Sequence, residues 1–246
     1  MVILEQLSSL GHNCFDDYLN KYNRRMLIDK HKLALIRDYT PNVRHHERLL
    51  TASVAIILRD TDHGTEFLMM QRAFHEKDPW SGQMAFPGGK VDPEDSSHQA
   101  AAIREAYEEV GIVLSEMDCV GRIDDVYGLK ANGVFSVHVA CFIFKPLHSY
   151  SLIANEEVAD MVWLPCSFLK EPRNAIDFYH PHDASLKMPA ALIDHSKSQI
   201  LWGLSYRMLV NLFDVIDEPI TILTKQEKSD MLDIEQLELK TSTEDK

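Results

Sequence analysis

The chain is 246 residues long and carries 25 Lys+Arg against 38 Asp+Glu, a formal charge of −13 with His neutral. With 45% apolar and 26% charged residues it has the composition of an ordinary soluble globular protein, and its length suits one large domain with extensions. The acidic excess speaks against a general nucleic-acid binder, which needs clustered Lys and Arg to neutralise phosphates. A small phosphate substrate stays open, provided a cation stands between.

The longest apolar runs, residues 52–58 and 137–144, fall far short of the ~18–20 residues a membrane span needs. The N-terminus lacks a basic stretch followed by a long apolar run, so no export signal and no membrane partner are expected. Cys14, Cys119, Cys141 and Cys166 are scattered and form no C-x-x-C pair. They predict reduced, mostly buried thiols in a cytoplasmic protein rather than a zinc site or a disulfide framework.

Residues 1–48 read as an N-terminal helical extension. Leu4, Leu7, Leu10, then Met26, Leu27, Leu33 and Ile36, recur at near-helical spacing, interrupted at Gly11-His12-Asn13 and ended by Tyr39-Thr40-Pro41. Such a stripe packs against the main domain or against a second subunit, as in a homodimer. From about residue 50 the period shortens. Residues 52–58 and 66–71 are β-branched and aliphatic runs around a turn at Asp60-Thr61-Asp62-His63-Gly64, which predicts a hairpin. A Pro/Gly-rich stretch follows, then a helical segment to Val110. Further strands are expected at 119–124, 135–144 and 160–164, and a final amphipathic helix at 199–215. The main domain thus covers 49–216, and 217–246 form an acidic tail. Strands with helices before and after them predict an α/β (α+β) fold.

The chemistry concentrates on the helix that follows Gly88-Gly89. Ser96 with Gln99 three residues on predicts its N-cap, and Gly111 its left-handed C-cap. At about 100° per residue, Glu105, Glu108 and Glu109 share an arc of about 100°, while Ile103, Ala106, Tyr107 and Val110 fall on the opposite, buried side. Arg104 lies four residues before Glu108 and can hold its carboxylate. Three like charges on one face repel, and a hard divalent cation, Mg2+, Mn2+ or Ca2+, relieves them through oxygen ligands; Mg2+ suits the face best, since it takes one or two carboxylates and substrate phosphates. A solvated acidic face is the alternative reading of the helix alone.

With the glycine loop included, the segment resembles the Nudix box, in which a Gly loop leads into a helix ending R-E-x-x-E-E-x-G. Here these residues are Gly89, Arg104, Glu105, Glu108, Glu109 and Gly111. Phe86-Pro87-Gly88-Gly89-Lys90 and Asp92-Pro93 resemble in particular the coenzyme A pyrophosphatase branch of that superfamily. The match departs at Asp95, where the box carries Glu, and upstream, where Arg72-Ala73 and Gly82 are present but a second Arg is not. The resemblance implies a mixed β-sheet sandwiched between helices. It also implies a hydrolase cleaving the pyrophosphate of a nucleoside diphosphate linked to another group, CoA or acyl-CoA among the candidates. Glu105, Glu108 and Glu109 would hold Mg2+ or Mn2+, with a carbonyl of Gly88 a further ligand, and Arg104 would orient them. Glu156 and Glu157 are candidates for an additional acid. Arg72, Gly89, Lys90 and Arg122 are candidates for contacts to the substrate phosphates, each with a surface ion pair as the alternative for the charged ones. Trp80 and Trp202 read as packed aromatics, with stacking on a base the alternative. His45-His46 and His180-Pro181-His182 lack a third ligand at motif spacing. A catalytically silent nucleotide sensor or scaffold is the competing function; an RNA-decapping role suits the charge least.

Overall fold

The computed structural model describes residues 26–43, 50–76, 78, 80–129, 135–181, 183–194 and 196–220. Its centre is strand β1 (Leu50–Thr61), which takes partners on both edges. Residues 50–57 of β1 run parallel to β6 (Phe135–Phe144), and residues 58–61 turn back into β2 (Gly64–Arg72), closing the expected hairpin at Thr61 opposite Gly64. On its other edge, residues 52–54 pair with β4 (Gly88–Lys90). β5 (Cys119–Leu129) lines up with β6, while β3 (Met84–Ala85) and β7 (Val158–Pro165) flank β2. The sheet is mixed and seven-stranded, with the order β3-β2-β1-β6-β5, β4 against β1 and β7 against β2.

Alternation sorts the strand side chains onto two faces. Ile56, Leu58, Phe67, Met69, Cys141 and Ile143 join Ile36 of α1 (Lys30–Asp38) and Met208, Leu209, Leu212 and Phe213 of α3 (Gly203–Val215) in one core. Ala55, Ile57, Leu68, Met70, Ala140 and Phe142 meet Ala102, Ala106 and Val110 of α2 (His98–Val110) in the other. Strands covered on both faces have no polar side to show, which is why β1 and β6 read as unbroken apolar runs. The fold is the mixed sheet between helices that the sequence implies.

Helix α1 starts at Asp29, whose carboxylate accepts from the His31 and Lys32 N–H groups at 3.0 Å each. It ends at Asp38, before Tyr39-Thr40-Pro41 as predicted, and packs on β5. Residues 1–25 and 44–48 of the predicted N-terminal extension, including Cys14, His45 and His46, lie outside the described residues, as does the tail from residue 221. Cys141 and Cys166 are buried and Cys119 half-buried, all as free thiols; burial pushes the thiol of Cys119 up to about 11 and that of Cys166 up to about 12. No helix among the described residues is long and apolar enough to cross a membrane.

The C-terminal half departs from expectation. Residues 199–202 are not the first turn of the final helix but strand β10 (Gln199–Trp202), antiparallel to β9 (Asp183–Asp194), which pairs in turn with β8 (Ala175–His180). The chain turns into α3 at Gly203, whose φ of 65° suits glycine. Apolar Ile200 and Leu201 continue the stripe of α3 in sequence, so periodicity alone merges the two elements.

Candidate active site

Strand β4 and helix α2 form opposite walls of one cleft. Gly88 is pressed onto β1: a Cβ there would stand 2.3 Å from the Ser53 carbonyl oxygen and 2.6 Å from Val54 Cα. Gly89 faces α2, and a Cβ there would stand 2.4 Å from Glu105 Oε1. Two side-chain-free residues in succession therefore let a strand lie against its neighbour on one side and against a carboxylate on the other. Helix α2 is capped by Ser97, whose hydroxyl accepts from the Ala100 N–H at 3.1 Å, one residue later than the Ser96 cap predicted. Gly111 closes it in the left-handed conformation (φ 74°) as expected. Beyond it, the N–H groups of Ile153 and Asn155 donate to the Val110 and Glu109 carbonyls at 3.0 and 3.1 Å, fastening the following loop to the end of the helix.

The three helical glutamates differ sharply in environment. Glu108 is exposed. Glu105 is half-buried, and burial moves its carboxyl above the usual carboxylate range against the opposing pull of Arg104. Glu109 is only 2% exposed. Its Oε2 accepts from the Gly88 N–H at 2.8 Å, and Arg72 Nη1 stands 4.0 Å from Oε1. Burial pushes its carboxyl up to about 8, opposed by the Gly88 N–H and Arg72 and reinforced by the charges of Glu105 and Glu157. Tyr107, predicted on the buried side, is 59% exposed: the sheet covers Ala102, Ala106 and Val110, and the tyrosine sits beyond that edge.

Arg104 organises the mouth of the cleft. Its Nε and Nη2 donate to both oxygens of Asp95 at 3.1 and 2.9 Å, and Nη1 donates to Glu105 and Glu108 at 2.9 and 3.0 Å. Nη2 also donates to the Lys90 carbonyl at 3.0 Å, tying the helix to β4. The bidentate contact holds Asp95 well below the usual carboxylate range. Asp95 is thus the clamp's main anchor, a role its position in the motif does not reveal.

The cleft encloses about 390 Å³, lined by Arg72, Gly88, Gly89, Lys90, Asp92, Arg104, the three glutamates, Asn155 and Glu157. Of the two additional acids considered, Glu157 lines it and Glu156 does not. Arg122 lies elsewhere, on β5: it donates to Asp125 Oδ1 at 2.6 Å and stands over the Phe142 ring at 5.3 Å. Asp78 is a partner the sequence did not single out; it accepts from Arg72 Nε and Nη2 at 2.9 and 2.8 Å and so fixes the arginine beside Glu109. His180 packs edge-on to Trp202 at 5.6 Å, and His182 lies outside the described residues.

Among the described residues no three His, Cys, Asp or Glu side chains converge as a cage for a metal ion. Glu105 and Glu108 pair with Arg104, whereas Glu109 pairs with the Gly88 N–H and faces Arg72. The donor set itself suits a hard divalent cation, since it is all oxygen and includes a buried carboxylate short of positive charge.

A glycine strand and a carboxylate-bearing helix packed on a mixed sheet define an α/β/α sandwich with a polar cleft between them. The family model of the NUDIX domain matches residues 49–182, and the chain belongs to this family. An uncharacterized Nudix hydrolase, NudL, of Pectobacterium atrosepticum is 29% identical over 187 residues, covering 73% of this chain and 90% of that protein. A protein named "probable nudix hydrolase" from Schizosaccharomyces pombe is 32% identical over 123 residues, 50% of this chain and 42% of its own length. The chain therefore spans less than half of the yeast relative. Among solved structures, a MutT/nudix family protein from Enterococcus faecalis aligns with a TM-score of 0.47 and 18% identity over 76% of this chain and 73% of that one. The NUDIX domain of Shewanella oneidensis NrtR, solved with ADP ribose, aligns with a TM-score of 0.40 and 22% identity over 53% of this chain and 80% of that one.

Proposed function

We propose that the chain is a metal-dependent hydrolase that cleaves the pyrophosphate bond of a nucleoside diphosphate linked to another group. The observation that carries this reading is Glu109, a buried carboxylate held against the Gly88 N–H at the floor of a polar cleft. Mg2+ or Mn2+ bound by Glu105, Glu108 and Glu109, with Glu157 or a Gly88 carbonyl as further ligands, would neutralise phosphate charge and acidify water. The chain's own residues bind and orient. Arg72 and Lys90 present positive charge to the phosphates, Gly89 lets them approach the backbone, and Arg104 holds Glu105 and Glu108 in place. Burial raises the proton affinity of Glu109 in the cation-free protein, and a bound ion would displace that proton.

The resemblance of the FPGGK segment to the coenzyme A pyrophosphatase branch makes CoA and acyl-CoA the first substrates to assay. The test is a panel of CoA esters, dinucleotides and nucleoside-diphosphate sugars with Mg2+ or Mn2+, read by phosphate release and mass. Turnover by the wild-type chain, abolished in a folded Glu109→Gln variant, supports the reading; no hydrolysis across the panel sinks it. A second reading, a catalytically silent nucleotide sensor, draws on the closure of Arg104 over Glu105 and Glu108. Tight nucleotide binding with no product favours it.

A further inference from the structure

Strand β1 divides its side chains between the two cores. Ala52 and Val54 pack on one, while Ala55 and Ile57 pack with Ala102 and Ala106 of α2 in the other. Alternation puts Ser53 on the α2 side, two residues before Ala55. Ser53 is 0% exposed, and its hydroxyl oxygen meets no hydrogen-bond partner among the described residues. A buried hydroxyl in that state lowers stability, because it gives up water and gains nothing in return. Buried polar groups are paired as a rule, so this one calls for a reason.

The register of the sheet supplies one. Ser53 stands opposite Gly89 of β4 on one side and Ala140 of β6 on the other. Residues opposed in an antiparallel pair direct their side chains to the same face, with Cβ positions about 4.5–5.5 Å apart. A Cβ on Gly89 would stand 2.4 Å from Glu105 Oε1 and 2.9 Å from Oε2. The Glu105 carboxylate therefore lies over the glycine that faces Ser53, and a small turn of either side chain brings hydroxyl and carboxylate together.

The other two glutamates are poorer recipients. Glu108 is exposed, and Glu109 Oε2 already accepts from the Gly88 N–H at 2.8 Å. Arg104 Nη1 engages Glu105 at Oε1, so Oε2 can take a donor from the sheet.

We propose that Ser53 is a positioning residue for Glu105: its hydroxyl donates to the Glu105 carboxylate when that carboxylate holds a divalent cation, and it stands unpaired in the cation-free protein. A carboxylate that binds an ion is oriented by a second partner behind it, and such partners commonly set the affinity. The inference rests on the metal-dependent reading above and adds the residue beneath one of its ligands. It also explains why a hydroxyl is kept at a place where alanine would fit the surrounding core.

The test compares the full-length wild type with Ser53→Ala, which removes one oxygen and leaves the packing otherwise unchanged. The two states should respond with opposite sign. In chelator, Ser53→Ala should melt about 2–4 °C higher than the wild type, because the unpaired hydroxyl is gone. In calorimetric titrations with Mg2+ and with Mn2+, the same variant should bind about 10-fold more weakly. Ser53→Thr, which returns a hydroxyl, should recover most of the affinity. A role in packing alone would move stability and leave cation affinity untouched.

Equal cation affinity in wild type and Ser53→Ala overturns the inference and leaves the metal-dependent reading standing. A threonine variant that binds no better than the alanine one overturns it as well, since volume and not the hydroxyl would then govern. A lower melting temperature of Ser53→Ala in chelator means that the hydroxyl is already paired there, by a trapped water for instance, and overturns it too. A wild type that binds neither Mg2+ nor Mn2+ removes the metal-dependent reading itself, and the role of Ser53 with it.

Discussion

The Gly88 N–H donates to Glu109 Oε2 at 2.8 Å across the interface of β4 and α2, and a glycine at 88 is what allows that approach. The carboxylate it meets is almost wholly removed from water. One backbone donor and an arginine 4.0 Å away offset that burial only in part, so the proton is held up to a pH of about 8.

The stability of the cation-free protein should show this. Glu109 binds its proton more tightly folded than unfolded, so between its ordinary value of 4.5 and about 8 the folded state holds the extra proton. The stability this contributes is fully present below 4.5 and is lost as pH rises through that window, at a limiting slope of about 1.4 kcal/mol per pH unit. Glu109→Gln removes the slope. Urea unfolding from pH 5.5 to 8.5 in the presence of chelator should show the variant gaining on the wild type as pH rises. Parallel curves would contradict the burial of this charge.

Gly88 and Gly89 should answer differently to the same substitution. At Gly89 the added methyl meets a carboxylate at the end of a flexible side chain, so Glu105 swings away and the fold survives. Gly89→Ala should keep its melting temperature within a few degrees and lose turnover. At Gly88 the added methyl meets the backbone of Ser53 and Val54. Gly88→Ala must part β4 from β1 and should cost about 1–3 kcal/mol of stability, read by thermal or urea unfolding.

These two glycines also mark how far the sequence could be read. Helical spacing puts Glu105, Glu108 and Glu109 on one arc and Gly111 at the C-cap, because those features are local to one helix. Spacing cannot say that Glu109 is the buried one, since its cover is strand β4, brought in by pairing with β1. It likewise leaves Asp95 and Asp78 unassigned, because each matters only through the arginine it meets after folding. Strands β8 to β10 escape for another reason. Residues 183–187 are exposed along β9 and carry no alternating apolar side to betray a strand.

Arg104→Lys should separate clamping from charge. Lysine keeps the cation and loses the fork that grips both oxygens of Asp95 while reaching Glu105 and Glu108. The expected cost is about 1–3 kcal/mol at neutral pH, with activity lower by about 10–100-fold as the glutamates lose their tether. Asp95 has a depressed folded value, so its contribution is present above the ordinary carboxylate range and disappears as pH falls through that depressed value. The stability deficit of the variant should therefore shrink in acid. A deficit that stays constant from pH 7 to 3 would place the effect outside the Asp95 pair.

Cation binding should be linked to the proton on Glu109. A divalent ion held by this carboxylate displaces its proton, so below about 8 the affinity for Mg2+ or Mn2+ should rise with pH, approaching tenfold per unit, and level off above it. Calorimetry in buffers of different ionisation enthalpy reads the proton released on binding. The melting temperature should rise with cation concentration in the wild type, following the logarithm of one plus the ratio of cation concentration to its dissociation constant. Glu109→Gln should lose the proton release and most of the thermal shift. Phe74→Ala should keep both, because Phe74 does not line the cleft that holds the glutamates. Cation binding that releases no proton at pH 7 would remove Glu109 from the ligand set and leave Glu105, Glu108 and Glu157 to account for it.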